Sequence, residues 1–215
     1  MGRDYNNSQT NASPKTLNTN NTRFLTGFTC KLPDGEPVWF RPVRTTDSDI
    51  IRNGLSTLSI QSRYQRFFTP ISSLSASQLQ HLTRIDQINH VAWIALSQSR
   101  PEQPGLGIGR FVRLPDQPGI AELAMVVIDS HQHKGVGTYL LAVLCLEAQA
   151  KAVETLRAFV LPDNTVMSHW FGRLGASGIF ENGVYRMDLV IPGDLWAAPA
   201  SPAEQKLREA IVQIC

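Results

Sequence analysis

The sequence predicts an α+β fold in which a mixed sheet carries hairpins near both ends and helices in between. Three observations predict it. Hairpin-type turn chemistry stands at Pro33-Asp34-Gly35 and at Asn182-Gly183, each between runs rich in β-branched and aromatic residues. Strand-like and helix-like stretches follow one another between those turns. Residues 121–144 run from an apolar strand through a polar turn with two closely spaced glycines into a long apolar helix pattern.

Composition narrows the class. A chain of 215 residues, 42% hydrophobic and 18% charged, can bury a core and is read as one domain with extensions. A net charge of +2 with no Lys/Arg run argues against a nucleic-acid partner. Cys30, Cys145 and Cys215 are far apart and odd in number, so neither a disulfide framework nor a metal site is expected, and Cys145 reads as core. No segment approaches the roughly 20 apolar residues of a membrane span, and no apolar signal-peptide core is visible, which places the protein in the cytoplasm. Residues 1–22, dominated by Asn, Thr and Ser, read as a disordered tail. The domain is expected over residues 23–191, with residues 192–215 forming a linker and an amphipathic helix.

The elements follow in order. Alternation begins at Phe24, and a hairpin forms across Pro33-Asp34-Gly35. Ile50, Ile51, Leu55 and Leu58 have helical spacing behind cap candidates at Thr46 to Asp49. Residues 59–71 place Tyr64, Phe67 and Phe68 among arginines, ahead of Pro70; the aromatics read either as core with solvated arginines or as a segment overhanging a substrate site. A helix starts at Ser75, which with Gln78 resembles a capping box. His90 to Ser97 is a strand, and Gly105-Leu106-Gly107-Ile108-Gly109 is a strand entry, since no strand precedes it closely and no helix follows. After the central helix, expected to reach Val153, come a strand over residues 155–161, a short helix from Val166 to Leu174, and a closing hairpin across Asn182-Gly183. Ser201-Pro202-Ala203-Glu204 reads as a capping box for a last helix. Its apolar stripe, Leu207, Ala210, Ile211 and Ile214, needs cover from the domain itself or from a second subunit in a homodimer.

The central turn carries chemistry. Gln132-x-x-Gly135-x-Gly137 lets successive backbone N–H groups point inward without Cβ obstruction, and the helix starting there adds the positive end of its dipole, a combination suited to phosphate. Three pieces in order then resemble the GCN5-related N-acetyltransferase superfamily. They are the strand Ala121-Glu122 to Asp129, the Gln132-x-x-Gly135-x-Gly137 turn, and the segment from Asn164 to Gly175. The Ser62-Arg63-Tyr64-x-Arg66-Phe67-Phe68 run and Ala121-Glu122 are further similar to bacterial protein lysine acetyltransferases. The resemblance covers roughly residues 38–191.

That resemblance implies a mostly antiparallel sheet with a central splayed pair of parallel strands, and acetyl-CoA as cofactor. Backbone around Met125, Val126 and Val127 would hold the pantetheine arm. The loop Gln132, His133, Lys134, Gly135, Val136, Gly137 and Thr138 would hold the pyrophosphate, and an N–H near Val126 or Val127 would face the thioester carbonyl. Asn164 would steer the cofactor or a water. Glu122, where the family places a catalytic glutamate, is the general-base candidate. Its strand companions Ala124, Val126 and Ile128 favour a partly buried carboxylate of raised pKa. Phe171 stands where the family often has a tyrosine acid, and a phenyl ring donates no proton. Ser168, His169 and Tyr139 are nearby hydroxyls or imidazoles; His169, His131 and His133 read as solvated.

The chain is thus expected to acetylate a primary amine, a protein lysine being favoured over a small amine or amino acid. A reading of another class is a non-catalytic acyl-CoA-binding sensor. Removal of residues 1–22 is expected to leave the melting temperature and any turnover nearly unchanged; a large fall in either, measured by calorimetry and acetyl-CoA consumption, would show that the segment belongs to the fold.

Overall fold

The computed structural model describes residues 26–215, so the expected tail over residues 1–22 and the start of the alternating run at Phe24 lie outside the described residues. The strands are β1 (Phe28–Lys31), β2 (Pro37–Pro42), β3 (His90–Ser97), β4 (Gly105–Leu114), β5 (Gln117–Val127), β6 (Thr155–Val160), β7 (Ser177–Glu181) and β8 (Val184–Val190). They form one sheet in the order β1-β2-β3-β4-β5-β6-β8-β7. Only β5 and β6 are parallel; the other neighbours are antiparallel. The α-helices that follow β2 are α1 (Ser48–Thr57), α2 (Ile60–Phe67), α3 (Ala76–Thr83), α4 (Val136–Ala150), α5 (Thr165–Arg173) and α6 (Pro202–Ile214). None is long and apolar enough to cross a membrane.

The helix α4 supplies the parallel crossover and the centre of the core. Its residues from Leu140 to Ala148 are buried without a break, because the sheet covers one side and α6 the other. Glycines on β4 let it approach closely: a Cβ on Gly109 would come within 2.9 Å of Leu144, and one on Gly107 within 3.3 Å of Leu140. Glu147, the one charged residue in that run, accepts from Trp93 Nε1 at 3.2 Å and pairs with Lys151. The opposite face of β3 and β4 is covered by α1 with its apolar residues Ile50 and Ile51, so β3 reads as an almost continuous apolar run. A buried bidentate pair, Arg41 to Asp47 at 2.7 Å for each bond, holds the chain between β2 and α1.

Several expectations meet the structure here. Both hairpins form at the turns named, and the Ser75–Gln78 box makes both of its bonds. The helix α4 stops at Ala150 rather than Val153, and Ala152 turns the chain at a φ of 54°. The stripe Leu207, Ala210, Ile211 and Ile214 is buried against the chain's own core. At the start of α6, Ser201 Oγ accepts from Glu204 N as expected, but the Glu204 carboxylate takes the Ala200 N–H, while Ser201 Oγ donates to Arg173 O on α5. Residues 60–67 are helical, begun by the Ser59 cap. Of its aromatics, Phe67 packs with Leu55 and Leu58, whereas Tyr64 and Phe68 are exposed.

His131, expected to be solvated, is fully buried. Its Nε2 lies 2.9 Å from Glu36 Oε2 and its Nδ1 2.9 Å from Ser130 Oγ, so the loop after β5 is tied to the first hairpin. Burial alone would push the Glu36 carboxyl up. The bonds from Ser97 and His131, with the charges of His131 and Arg100, outweigh it and hold the group below its ordinary value. A carboxyl depressed in the fold stabilises above its unfolded pKa, and the contribution is lost as pH falls through the folded value. Glu36→Gln is therefore expected to lower stability at neutral pH and to flatten the decline on acidification below about pH 4.5. Denaturant midpoints against pH check this; curves parallel to those of the native chain would contradict it.

Candidate active site

The sheet opens at its one parallel pair. The strands β5 and β6 pair from Ile120↔Thr155 to Leu123↔Ala158 and then part, although β5 continues to Val127 and β6 to Val160. Each is still held by its outer neighbour, β5 by β4 as far as Gly107↔Val127 and β6 by β8 as far as Val160↔Tyr185. A cavity of about 230 Å³ fills the gap. Its walls are Glu122, Leu123, Ala124 and Met125 from β5, Ala158, Phe159 and Val160 from β6, Gln65, Arg66, Phe67 and Phe68 at the end of α2, and Asn164, Met167 and Phe171 around α5.

Backbone polarity in the gap follows from strand alternation. Ile128 donates its N–H to Leu106 O at 2.9 Å, towards β4. Bonding direction alternates along a strand, so the Val126 N–H also faces β4, while those of Met125 and Val127 face the gap. The Val127 carbonyl, on that same side, accepts from Gln132 Nε2 at 3.2 Å. Of the two positions named for a donor, Val127 has its N–H on the gap side and Val126 has its N–H on the β4 side.

The glycine turn lies at the open end of β5. Gln132 N–H is used within the turn, on Asp129 O at 3.4 Å, so Gln132 contributes its side chain as a tie rather than a free backbone donor. His133 takes a left-handed φ of 60°, and Gly135, the residue before α4, takes one of 95°. The first-turn N–H groups of Val136, Gly137 and Thr138 have no acceptor among the described residues, as the start of a helix dictates. A Cβ on Gly137 would touch Trp170 and Val127 at 3.8 and 3.9 Å, so the turn sits directly beside the gap. Lys134 reaches Asp34 at 3.2 Å, with both side chains well exposed.

Of the residues named from sequence, Glu122, Met125, Asn164 and Phe171 meet in the cavity wall. Glu122 is exposed rather than partly buried. Its pairing partner on β4, Val112, is 36% exposed, which shows that the helices covering the middle of this face do not reach so far along the sheet. Arg66 is the other titratable residue in the wall; burial lowers its pKa, and the Glu122 charge works the other way. Asn164 Oδ1 caps α5 by accepting from Met167 N at 3.2 Å. Phe171 is fully buried, edge-on to Trp170.

The candidate proton donors lie elsewhere. Tyr139 donates to Gln213, packs on Phe28 and Phe40, and is pushed up to about 12, chiefly by burial. Ser168 Oγ bonds back to Asn164 O and Thr165 O, and His169 is exposed. No hydroxyl, thiol or imidazole stands among the cavity-lining residues. Sequence reading missed a further carboxylate: Asp129 accepts from Ser59 N at 2.9 Å and from the Ser59 and Ser62 hydroxyls at 2.8 Å each. Gln132 Nε2 adds a bond to Ser62 Oγ at 3.3 Å. Together they fasten α2, which carries Arg66, Phe67 and Phe68, to the loop after β5.

With this geometry in place, likeness to known proteins is specific. Over 170 residues the chain is 29% identical to the acetyltransferase Pat of Mycolicibacterium smegmatis, spanning 79% of this chain and 50% of that protein. The GNAT domain of S. lividans PAT superimposes with a TM-score of 0.70 at 28% identity, over 76% of this chain and 96% of that one. A mutant of a cAMP-binding acyltransferase from Mycobacterium smegmatis aligns with a TM-score of 0.56 at 26% identity, over 88% of this chain and 57% of that one. The chain spans about half the length of the curated relatives it matches. The model of the acetyltransferase (GNAT) family matches residues 61–176, across the glycine turn and both parting strands, and the chain belongs to that family.

Proposed function

We propose that the chain acetylates a primary amine with acetyl-CoA by direct attack, with Glu122 as general base. The observation that carries this is the placement of one exposed carboxylate in the wall of the gap, a single residue from the last pair that β5 and β6 make. When bound, acetyl-CoA supplies an acyl group activated as a thioester. The chain's own groups fit it. Val136, Gly137 and Thr138 offer free N–H groups at a helix start, and the left-handed Gly135 turns the chain into that start without a side chain. These would hold the pyrophosphate, and the backbone of Met125 and Val127, unpaired on the gap side, would hold the pantetheine arm. The Val127 N–H faces the place where negative charge develops on the carbonyl oxygen.

Glu122 then has a defined task. A lysine-type amine has a reference pKa of about 10.4 and attacks only when neutral, so Glu122 accepts its proton, directly or through water. Its exposure makes it reachable from solvent by a bulky acceptor, and the exposed Phe68 borders the same cavity. This openness favours a side chain on a protein surface over a small enclosed amine as the acceptor. Phe171 and the rest of the wall offer no hydroxyl, thiol or imidazole to act as an acid. None is required near neutrality, where a thiol of reference pKa about 8.5 is a fair leaving group.

Glu122→Gln is expected to reduce kcat by about 10²-fold or more while cofactor affinity changes little. Unchanged turnover would remove Glu122 from the mechanism. Gly135→Glu places a charged side chain at a left-handed position of the turn and is expected to eliminate coenzyme A binding in calorimetry. Retained affinity would mean that the pyrophosphate lies elsewhere.

A further inference from the structure

Both polar groups of the Val127 backbone face the gap, since Ile128 bonds to Leu106 on the β4 side and bonding direction alternates along the strand. One of the two is already taken. The Val127 carbonyl accepts from Gln132 Nε2 at 3.2 Å, and the same nitrogen gives its other hydrogen to Ser62 Oγ at 3.3 Å. Ser62 in turn donates to Asp129 Oδ1 at 2.8 Å. Each direction in this chain is forced. A backbone carbonyl only accepts, so the amide must present its nitrogen to Val127, and a serine oxygen that accepts from that nitrogen has its own hydrogen free for a carboxylate. Burial would raise the Asp129 pKa, but the bonds from Ser59 and Ser62 outweigh it, and the group stands as an ionised acceptor.

Ser62 is placed by its helix. Ser59 Oγ accepts the Ser62 N–H at 3.1 Å, while the Ser59 N–H and hydroxyl reach Asp129 on their own at 2.9 and 2.8 Å. The tie between α2 and the loop after β5 therefore has two routes, and the one through Ser62 and Gln132 is the one that continues to the gap. Gln132 is exposed, so without the Ser62 hydroxyl its amide nitrogen keeps a single bond, to Val127, against competition from water.

What the gap offers depends on that bond. With its carbonyl open, the end of β5 would present an acceptor beside the donor, and an amide N–H of an extended arm would pair with it. With the carbonyl filled, Val127 offers a donor alone, which suits a carbonyl. We infer that Asp129, Ser62 and Gln132 form a relay that keeps the Val127 carbonyl occupied and reserves the Val127 N–H for the acyl carbonyl of a bound thioester. Ser62 is then a positioning residue that acts through Gln132. Its role towards the thioester rests on the acyl-transfer reading; the relay itself does not.

Ser62→Ala removes the middle of the relay and leaves both Ser59 bonds to Asp129 in place, and Ser62→Thr returns a hydroxyl. With acetyl-CoA and Nα-acetyl-lysine amide, Ser62→Ala is expected to lower kcat roughly three- to tenfold, and Ser62→Thr to recover most of the loss. In calorimetry, affinities for coenzyme A and for adenosine 3′,5′-bisphosphate, which lacks the arm, are expected to change by no more than about twofold. A part that only shapes the loop would weaken both ligands together; that pattern, or a kcat equal to the native one, overturns the positioning role. Hydrogen exchange followed by NMR reads the relay without turnover. The Gln132 side-chain amide hydrogens are expected to exchange several-fold faster in Ser62→Ala than in the native chain, and equal rates overturn the relay. A native chain that binds coenzyme A but acetylates no amine counts against the acetyltransferase reading, and the exchange rates then decide the relay alone.

Discussion

The site exists because β5 and β6 stop sharing backbone hydrogen bonds after Leu123 and Ala158 while each stays fastened to its outer neighbour. Neither strand frays, so the gap is a fixed feature of the sheet. Two inner edges then present polar backbone with no strand to pair it, and leaving such a group buried and unmet costs about 1–3 kcal/mol. Water, or an extended partner rich in amides, can meet such groups. The same opening sets Glu122 and Val127 on one strand, five residues apart, with the Val127 N–H aimed into the gap.

The fold was readable where local chemistry decides it. Pro33-Asp34-Gly35 and Asn182-Gly183 form the hairpins expected of them, and the unbroken apolar character of residues 140–146 matches a helix enclosed on all sides. The glycine turn was readable too, since its backbone angles depend on residues adjacent in sequence. What escaped was set by distant partners. His131 reads as a loop histidine until Glu36, on the strand side of the first hairpin, is brought against it. Glu122 sits among apolar neighbours in sequence, yet is exposed because cover depends on how far the helices extend over that face. Arg66 is half-buried for the converse reason: α2 lies over β5, a contact that periodicity within residues 59–71 does not specify.

One carboxylate joins α2 to the β5 side of the gap. Asp129, just past the end of β5, receives the Ser59 N–H and two serine hydroxyls, and its charge makes these bonds stronger than neutral ones. Burial would raise its pKa, but the Ser59 and Ser62 bonds outweigh that and hold it below the usual value, so the anion persists at neutral pH. Because Ser59 also caps α2, the start of the helix and the end of the strand share one anchor. Any displacement of the loop from Asp129 to Gly135 is thereby passed to α2, whose last turn carries Arg66, Phe67 and Phe68 into the cavity wall. Of the two charged residues that border the gap, Glu122 and Arg66, the one carried on α2 is Arg66.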